Sequence, residues 1–291
     1  MPFLQVKFLA GAEHCDRLSE VLQEAGALAV TLEDPGGTPV LEPSVGGRPL
    51  WEQVRLVGLF ERDFLPELLA RQILLTAPGA VSDWRVEAVE DRHWERAWME
   101  HFRPMRFGER LWICPSNASP PHPEAVNLML DPGLAFGTGA HPTTSLCLQW
   151  LDGMPLCGRR VMDYGCGSGV LAIAAAMLGA DSCIAVDNDP QALLATRENA
   201  ARNNVSDRLL VRPPFDGAPA KVDVVVANIL SGILVALAPL LANALSPGGD
   251  IALSGILDGQ VADVEAAYDP WCDVDIRKRS GGWVLLAGRR R

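Results

Sequence analysis

The sequence predicts an α/β protein in which a doubly wound, mostly parallel seven-stranded sheet follows a smaller α+β domain. From about residue 105 onward, apolar strand patterns alternate with helical periodicity, which is typical of βαβ units. The first ninety residues have the order β-α-β-β-α-β, which is typical of a ferredoxin-like fold. A glycine-rich turn at residues 165–169 stands where a strand gives way to a helix, the place where doubly wound sheets bind ligands.

In the first domain, residues 1–90, alternating apolar residues predict four strands, at residues 3–9, 28–32, 54–60 and 84–89. Apolar residues at helical spacing predict helices over 13–25 and 64–75. Glycines and prolines between residues 35 and 49 predict a long loop. A ferredoxin-like fold hosts many functions, so this pattern by itself identifies none.

Residues 91–104 have the pattern of a linker helix. Trp94, Trp98 and Phe102 are spaced four apart and therefore lie on one face of a helix. We expect this aromatic face to pack on a neighbouring domain. A direct contact with a cofactor is the alternative.

The second domain, residues 105–291, contains seven strand patterns, at 160–164, 182–187, 209–212, 222–227, 251–254, 273–278 and 283–287. A helical pattern precedes them at 145–151, and further helical patterns lie between them at 170–178, 190–203 and 234–245. Asp189 precedes Pro190, which together predict an N-cap and a first helical residue. The last two strands flank Ser280-Gly281-Gly282 and predict a hairpin, so that the final strand is antiparallel.

Composition excludes several classes of protein. No apolar run reaches the roughly 18 residues of a membrane span, and no signal peptide is recognisable, so we expect a cytoplasmic protein. The seven cysteines form no C-x-x-C pair and the five histidines are scattered, so no disulfide framework or metal site is expected. A net charge of −11 argues against sequence-specific nucleic-acid binding and fits a basic partner or a cationic ligand.

The strongest chemical signal is the turn that contains Gly165, Gly167 and Gly169. A dinucleotide fingerprint, G-x-G-x-x-G, would place its third glycine at position 170, where this chain has Val170. An acid, Asp163, instead ends the preceding strand and suits the ammonium of an amino-acid ligand better than a pyrophosphate. The pattern therefore favours S-adenosylmethionine over NAD.

Two further polar residues follow strands and are expected at the same edge of the sheet. Asp187 can accept hydrogen bonds from both hydroxyls of a ribose. Helix capping is its alternative role, but Asp189 already occupies that place. Asn228 can accept from a substrate amine and direct the amine lone pair at a methyl group. Capping the next helix is an equally good interpretation of the Asn228 spacing.

The glycine-rich segment at residues 130–144, LDPGLAFGTGAHPTT, precedes a predicted helix. A loop that closes over a ligand is one interpretation, and a plain connecting loop is the other.

These segments resemble the ribosomal-protein methyltransferase family called PrmA, whose substrate is the eleventh large-subunit ribosomal protein. The resemblance covers almost the whole chain. It includes W-E-x-x-W-x-x-x-F-x-P at 94–104, the loop at 130–144, D-Y-G-C-G-S-G at 163–169, V-D-N-D-P at 186–190, A-N-I-L at 227–230 and S-G-I-L at 254–257.

The resemblance implies a class I methyltransferase fold, with the ferredoxin-like domain gripping the substrate protein. It implies S-adenosylmethionine contacts from Thr144, Gly165, Asp187 and Asn228, with Phe136 closing over the site. Asp163 and Gly167 join this set from the glycine turn. It also implies methylation of lysine side chains and an N-terminal α-amine. Amide methyltransferases commonly have N-P-P-Y where this chain has A-N-I-L, which argues against an amide target.

The expected reaction is an in-line displacement in which an amine attacks the sulfonium methyl, with catalysis mainly by positioning. No residue identifies itself as a general base. One alternative is a methyltransferase for RNA or a small molecule with the same cofactor site, and another is a catalytically idle ribosome-binding adaptor. The C-terminal residues 289–291, three arginines, are expected to be solvated charge.

Overall fold

The structure is a computed structural model that describes residues 3–36, 51–89, 103–131, 139, 141–214 and 220–291. The chain divides into two compact units, Met1–Ala97 and Trp98–Arg291. The division falls within the segment predicted as a linker. That predicted linker helix, residues 91–104, lies outside the described residues apart from its last two positions, and Phe136 also lies outside them.

Among its described residues, the first unit has four antiparallel strands in the order β2-β3-β1-β4 and two helices. Its elements are β1 (Phe3–Gly11), α1 (Cys15–Glu24), β2 (Ala29–Glu33), β3 (Gln53–Phe60), α2 (Pro66–Thr76) and β4 (Val81–Val89). This is the β-α-β-β-α-β order that the sequence predicted. The ferredoxin-like assignment of residues 1–90 stays a prediction.

Hydrophobic periodicity explains why these elements form. Alternate residues of β1, Val6 and Phe8 among them, are fully buried, while their neighbours are only partly covered. On α1 the buried residues include Leu18, Val21 and Leu22, which lie on one face at helical spacing. The buried faces of β1 and α1 pack together in a hydrophobic core formed by residues of the first unit.

The second unit contains ten strands and five helices in its described residues. The strands are β5 (Met105–Phe107), β6 (Leu111–Cys114), β7 (Val126–Met129), β8 (Arg160–Tyr164), β9 (Ser182–Val186), β10 (Leu209–Arg212), β11 (Val222–Asn228), β12 (Leu245–Leu257), β13 (Cys272–Ser280) and β14 (Trp283–Arg290). The helices are α3 (Pro142–Asp152), α4 (Val170–Met177), α5 (Pro190–Arg202), α6 (Ser231–Ala244) and α7 (Val261–Tyr268).

Seven of these strands form one mixed sheet in the order β10-β9-β8-β11-β12-β14-β13. The first five of them are parallel, and β14 is antiparallel to both of its neighbours, as predicted from the hairpin. The strands β8 and β11 are neighbours in this sheet. From β8 the chain continues to β9 and β10 on one side, and from β11 it continues to β12 on the other. This reversal creates a crevice at the carboxyl ends of the strands, where open α/β sheets bind their ligands.

Helices cover both faces of this sheet, which explains why its central strands are almost continuously apolar. Val224 and Val226 of β11 face a core formed with α3, α4 and α5. The alternate residues, Val225 and Ala227, face a second core formed with α6 and α7. The predicted α/β class and seven-stranded sheet are confirmed.

Strands β5, β6 and β7 form a separate three-stranded sheet that the sequence analysis did not predict. Each has only three or four residues, which is too short to show a period of two convincingly. Asp152, at the end of α3, anchors this sheet by accepting hydrogen bonds from the backbone N–H groups of Glu109 (2.6 Å) and Arg110 (3.2 Å).

The prediction of solvated charge at the C-terminus describes two of the three arginines: the side chains of Arg289 and Arg291 are 75% and 49% exposed, whereas Arg290 is half-buried. Arg289 pairs with Asp250 at 3.0 Å, and Arg291 pairs with Asp269 at 3.1 Å. Arg290 donates to two backbone carbonyls at the end of α6, both at 2.6 Å. The last carbonyls of a helix have no partner within the helix, and the final strand carries a guanidinium to them. In the described part of the chain, no helix is long and apolar enough to cross a membrane.

Candidate active site

Predicted site residues on three strands gather at the carboxyl edge of the seven-stranded sheet. Tyr164 ends β8 and leads into the glycine turn, Asp187 follows β9, and Asn228 ends β11. These three strands are neighbours in the order β9-β8-β11. Residues that are distant in sequence therefore meet at the switch point where the fold is built to hold a ligand.

The turn between β8 and α4 needs glycine because its backbone is left-handed at three alternate positions. Gly165, Gly167 and Gly169 have φ values of 81°, 53° and 79°. Other L-residues rarely adopt this region because Cβ meets the backbone. The D-x-G-x-G-x-G pattern therefore encodes one specific turn.

Neighbouring side chains also require two of these glycines. A Cβ atom at Gly165 would lie 2.2 Å from Cγ2 of Ile229. One at Gly169 would lie 2.6 Å from Cγ2 of Thr196. The turn is thus packed closely against α5 on one side and against the residue after Asn228 on the other.

Backbone groups and α5 hold the turn in place. The N–H groups of Gly165 and Cys166 both donate to the carbonyl of Val186, at 2.8 and 3.0 Å. From α5, the Thr196 hydroxyl donates to the carbonyl of Gly167 at 3.0 Å. Also from α5, the Asn199 amide donates to the carbonyl of Ser168 at 2.9 Å. These contacts preorganise the turn independently of a ligand.

Asp187 is joined directly to the glycine turn. Its Oδ2 accepts a hydrogen bond from the Gly167 N–H at 2.9 Å, and its Oδ1 accepts from the Asp189 N–H at 3.0 Å. An ionised carboxylate offers about four lone-pair sites, so each oxygen can accept a second bond. A carboxylate accepts hydrogen bonds and donates none, so it fits the two hydroxyls of a ribose. Binding a ribose is the role predicted for Asp187. Asp189 caps α5 through the Gln191 N–H, as predicted.

Asp163 lies beneath the turn and is fully buried. Its Oδ2 accepts from the N–H of Ala172 in the first turn of α4 at 3.0 Å, while Oδ1 has no hydrogen-bond partner among the described residues. Burial raises the pKa of Asp163 to about 7; the Ala172 N–H opposes this rise and the nearby charge of Asp187 adds to it. The N-cap residue of α4 is Gly169, which has no side chain, so Asp163 supplies the missing cap.

This placement gives Asp163 a supporting position behind the turn. A direct contact with a ligand ammonium, as the sequence predicted, would have to be made from a fully buried carboxyl group. That contact stays a prediction.

Asn228 is held by a residue 84 positions earlier in the chain. Its side-chain nitrogen, Nδ2, donates to the hydroxyl of Thr144 at 3.2 Å. Thr144 is fully buried in the first turn of α3, and Asn228 is half-buried. With Nδ2 engaged by Thr144, the oxygen Oδ1 is the atom that can accept from an incoming amine. Two predicted site residues are thus brought into direct contact.

Two further residues at the same edge, His141 and Trp283, were not among the residues predicted for the site. His141 is the N-cap of α3, where its Nδ1 accepts from the Thr143 N–H at 3.4 Å. Its ring packs edge-on against Trp283 with ring centroids 5.2 Å apart. Burial lowers the pKa of His141, which favours the neutral ring that a capping acceptor requires. The only signal in the sequence was a His-Pro pair at the start of a helix.

The described residues contain no group of three or more His, Cys, Asp or Glu side chains placed to hold a metal ion.

Comparison with known proteins identifies the family. The model of the family described as "Ribosomal protein L11 methyltransferase (PrmA)" matches residues 2–291. The chain is 50% identical to the ribosomal protein L11 methyltransferase of Pseudomonas aeruginosa strain LESB58, with 100% of this chain and 99% of that protein covered. It is also 50% identical to the protein of the same name from Alkalilimnicola ehrlichii, with both chains covered completely.

The chain belongs to the ribosomal protein L11 methyltransferase family. A solved structure agrees with this assignment: the ribosomal protein L11 methylase from Lactobacillus delbrueckii subsp. bulgaricus matches at 35% identity with a TM-score of 0.60. That match covers 65% of this chain and 100% of the other.

Membership in the ribosomal protein L11 methyltransferase family confirms the resemblance that the sequence motifs suggested. The fold is that of a class I methyltransferase, and the activity is a methyl transfer from S-adenosylmethionine to ribosomal protein L11. The predicted turn at residues 163–169 and the predicted A-N-I-L segment lie on neighbouring strands of the same sheet. The family therefore fits the geometry of this edge.

Proposed function

We propose that this chain methylates lysine side chains and the N-terminal α-amine of ribosomal protein L11 at the carboxyl edge of its seven-stranded sheet. One observation carries the proposal. The glycine turn is bonded to Asp187 on one side and packs against the residue after Asn228 on the other. A nucleoside held at Asp187 would therefore lie beside an amine held at Asn228.

On the cofactor side, Gly165 and Gly167 would let the backbone approach S-adenosylmethionine without a Cβ collision. Asp187 would accept the ribose hydroxyls through the lone pairs that its two backbone donors leave. Asp163 would act mainly from below, by fixing the start of α4. Phe136 is proposed to close over the cofactor on the family resemblance alone.

On the acceptor side, Oδ1 of Asn228 would accept a hydrogen bond from the substrate amine and orient its lone pair at the methyl carbon. Thr144 would keep the Asn228 amide in this orientation, because a rotated amide would lose its bond to the Thr144 hydroxyl. Thr144 is buried and would restrain Asn228 rather than bind the amine.

Bound S-adenosylmethionine would supply the methyl group: the amine nitrogen would bond to the methyl carbon as the bond between sulfur and that carbon breaks, with S-adenosylhomocysteine, a neutral thioether, as the leaving group. The amine must lose a proton before it attacks, and a lysine near pKa 10.4 needs more assistance than an α-amine near 8. A site that removes water from the amine favours its neutral form. The positions of Asn228 and the turn supply the alignment that such a displacement needs.

We also propose the assignment of roles to the domains that the family resemblance implies. Residues 1–90 would bind L11, residues 91–104 would link the domains, and residues 105–291 would bind the cofactor and transfer the methyl group. A net charge of −11 suits a basic ribosomal protein as partner, either free or within the ribosome. We expect neither a membrane nor a specific nucleic-acid partner, and we assign the protein to the cytoplasm.

The test is a methylation assay with isotope-labelled S-adenosylmethionine, purified L11 and separated ribosomal RNA. Mass spectrometry of L11 should locate the label on lysine side chains and the N-terminus, and Asn228→Ala should remove most of it. Label in RNA would support the alternative RNA methyltransferase and contradict the proposal. Calorimetry showing no binding of S-adenosylmethionine to the wild-type protein would support the idle adaptor.

A further inference from the structure

Ile229 lies at the junction between the glycine turn and the acceptor side of the site. It follows Asn228 directly, and its backbone N–H donates to the carbonyl of Ser254 at 3.1 Å. This bond continues the register in which Asn228 pairs with Ser254. The backbone of Ile229 is thereby fixed to the end of β12.

Two glycines from different elements leave room for Ile229. A Cβ at Gly255 would lie 2.2 Å from the carbonyl oxygen of Ile229 and 2.8 Å from its carbonyl carbon. A Cβ at Gly165 would lie 2.2 Å from Cγ2 of the Ile229 side chain. The first glycine accommodates the backbone of Ile229 and the second accommodates its side chain. Both glycines have positive φ, 87° and 81°.

The side chain of Ile229 has a well-defined position in this gap. A β-branched residue has few allowed χ1 rotamers, so a fixed backbone fixes Cγ2 as well. The distance between the glycine turn and β12 is then set by one rigid residue. Asn228 is restrained from the opposite direction by its bond to Thr144.

We propose that Ile229 is a positioning residue for methyl transfer: fixed between Gly165 and Gly255, it sets the distance from the cofactor turn to the Asn228 amide. This inference rests on the proposed function, since it assumes that the turn holds the methyl donor and that Asn228 holds the amine. It also gives a role to the A-N-I-L and S-G-I-L segments together. Ile229 belongs to the first of these segments, and Gly255, which accommodates it, belongs to the second.

The first experiment compares Ile229→Ala with Ile229→Val in the full-length protein. Alanine removes Cγ2, so the distance from the glycine turn to the Asn228 amide is no longer fixed. The kcat for L11 methylation should then fall about 10- to 100-fold, the effect of misplacing the reacting groups by roughly 1 Å. The dissociation constant of S-adenosylmethionine, measured by calorimetry, should change much less than kcat. Valine keeps Cγ2 and the stiff χ1, so it should recover most of the lost rate.

Leu234→Ala is the matched control, because Leu234 is fully buried in α6 and faces the core. It should lower the melting temperature while kcat, measured well below that temperature, stays near wild type. If Ile229→Ala lowers kcat no more than Leu234→Ala at equal loss of stability, the role of Ile229 is merely structural and the inference is overturned. Equal rates for the alanine and valine variants would overturn it too.

The second experiment tests the contact with the turn. Gly165→Ala should weaken cofactor binding, because its Cβ collides with Ile229 and its φ is strained. Adding Ile229→Ala removes the colliding atom and should restore part of the affinity, which a double-mutant cycle measures as coupling. Absence of coupling would overturn the inference. Absence of L11 methylation by the wild-type protein would instead refute the proposed function.

Discussion

Asp187 accepts two backbone N–H bonds, one from Gly167 in the glycine turn and one from Asp189 at the N-cap of α5. The same carboxylate therefore orders the protein and is available to order a ligand. Hydrogen bonds to a charged group are worth roughly 1.5–3 kcal/mol each, about twice a neutral bond. Asp187 is for this reason the residue whose substitution should affect the cofactor most.

Asp187→Asn keeps the size of the side chain but removes its charge and one acceptor. We expect the affinity for S-adenosylmethionine to fall about 10- to 100-fold, the loss of one charge-assisted hydrogen bond. Calorimetric titration measures this effect. Asp207→Asn, an exposed substitution with the same change of charge, is the control and should bind like wild type. Equal affinities for the two variants would exclude Asp187 from the cofactor site.

A single hydrogen bond, from Asn228 to the hydroxyl of Thr144, fixes the orientation of the Asn228 amide. Thr144→Val keeps the shape of the side chain and removes the hydroxyl. The Asn228 amide then loses its restraint, and kcat should fall roughly 10-fold with little change in cofactor affinity. Steady-state kinetics measure kcat, and calorimetry on the same preparation measures the affinity for the cofactor. In an Asn228→Ala background the threonine substitution should have almost no further effect, and a fully additive loss would contradict the pairing.

At the level of elements, the start of α4 depends on a side chain from the neighbouring strand. The N-cap position of α4 is Gly169, whose left-handed backbone the turn requires but which offers no capping oxygen. Asp163 at the end of β8 provides that oxygen to Ala172. The strand, turn and helix thus form one cooperative unit, and its buried carboxyl has a pKa raised to about 7.

The raised pKa makes the stability of this unit depend on pH. The folded protein binds the Asp163 proton more tightly than the unfolded chain, whose carboxyl has a pKa of 3.8. The stabilising contribution of this proton is therefore full below pH 3.8 and is lost as pH rises to about 7. The side chain at this position does not titrate in the Asp163→Asn variant. The free energy of unfolding of wild type should therefore fall by on the order of 3 kcal/mol relative to this variant across that window. Urea unfolding at pH 4.5 to 8 measures the difference, and a constant difference would contradict the assignment.

The end of α6 shows the same dependence on a distant element. Arg290, at the end of β14, donates to the carbonyls of Ala242 and Leu245, and Lys221 donates to that of Asn243. These cations satisfy carbonyls that the helix leaves open and complement the negative end of its dipole.

Arg290→Gln should therefore lower the free energy of unfolding by about 1–2 kcal/mol, because two hydrogen bonds from a charged donor are weakened. Denaturant unfolding measures this loss. Arg277→Gln breaks only an exposed pair with Asp275 and should change stability by less than about 0.5 kcal/mol. Similar losses for the two variants would show that the Arg290 contacts do not stabilise α6.

At the scale of the whole molecule, each unit has a core of its own. The core of the first unit comprises residues between Val6 and Ile73, and the two cores of the second comprise residues between Phe107 and Ala287. A complete core is the main requirement for independent folding of a domain.

We therefore expect the fragment 103–291 to unfold cooperatively and to bind S-adenosylmethionine as the full chain does. Its kcat/KM for L11 should fall about 100-fold or more, because the proposed substrate-binding domain is gone and each 1.4 kcal/mol of lost binding is tenfold. Calorimetry and a methylation assay test the two parts separately. Methylation of L11 at the full rate would show that residues 1–90 do not bind the substrate.

Short-range patterns in the amino-acid sequence were enough to predict the elements of the fold and the chemistry of the site. Short apolar segments located the seven strands of the large sheet, helical spacing located helices between them, and the glycines at 165, 167 and 169 specified the turn. Parallel strands end at one edge, so Asp187 and Asn228 could be assigned to a common crevice from the sequence alone. The family motifs, which comparison with known proteins confirmed, supplied the activity.

Which side chains contact one another became visible only in the folded protein. The Thr144–Asn228 bond spans 84 residues, the position of Ile229 depends on glycines from two other elements, and the arginines at 289–291 find acceptors across the fold. Asp163 is an acid near the end of β8, where a ligand contact was predicted. In the fold it is fully buried and caps α4 by accepting from the Ala172 N–H. Periodicity reports how each segment contacts the core, whereas these contacts depend on distances between segments, which no local pattern in the chain encodes.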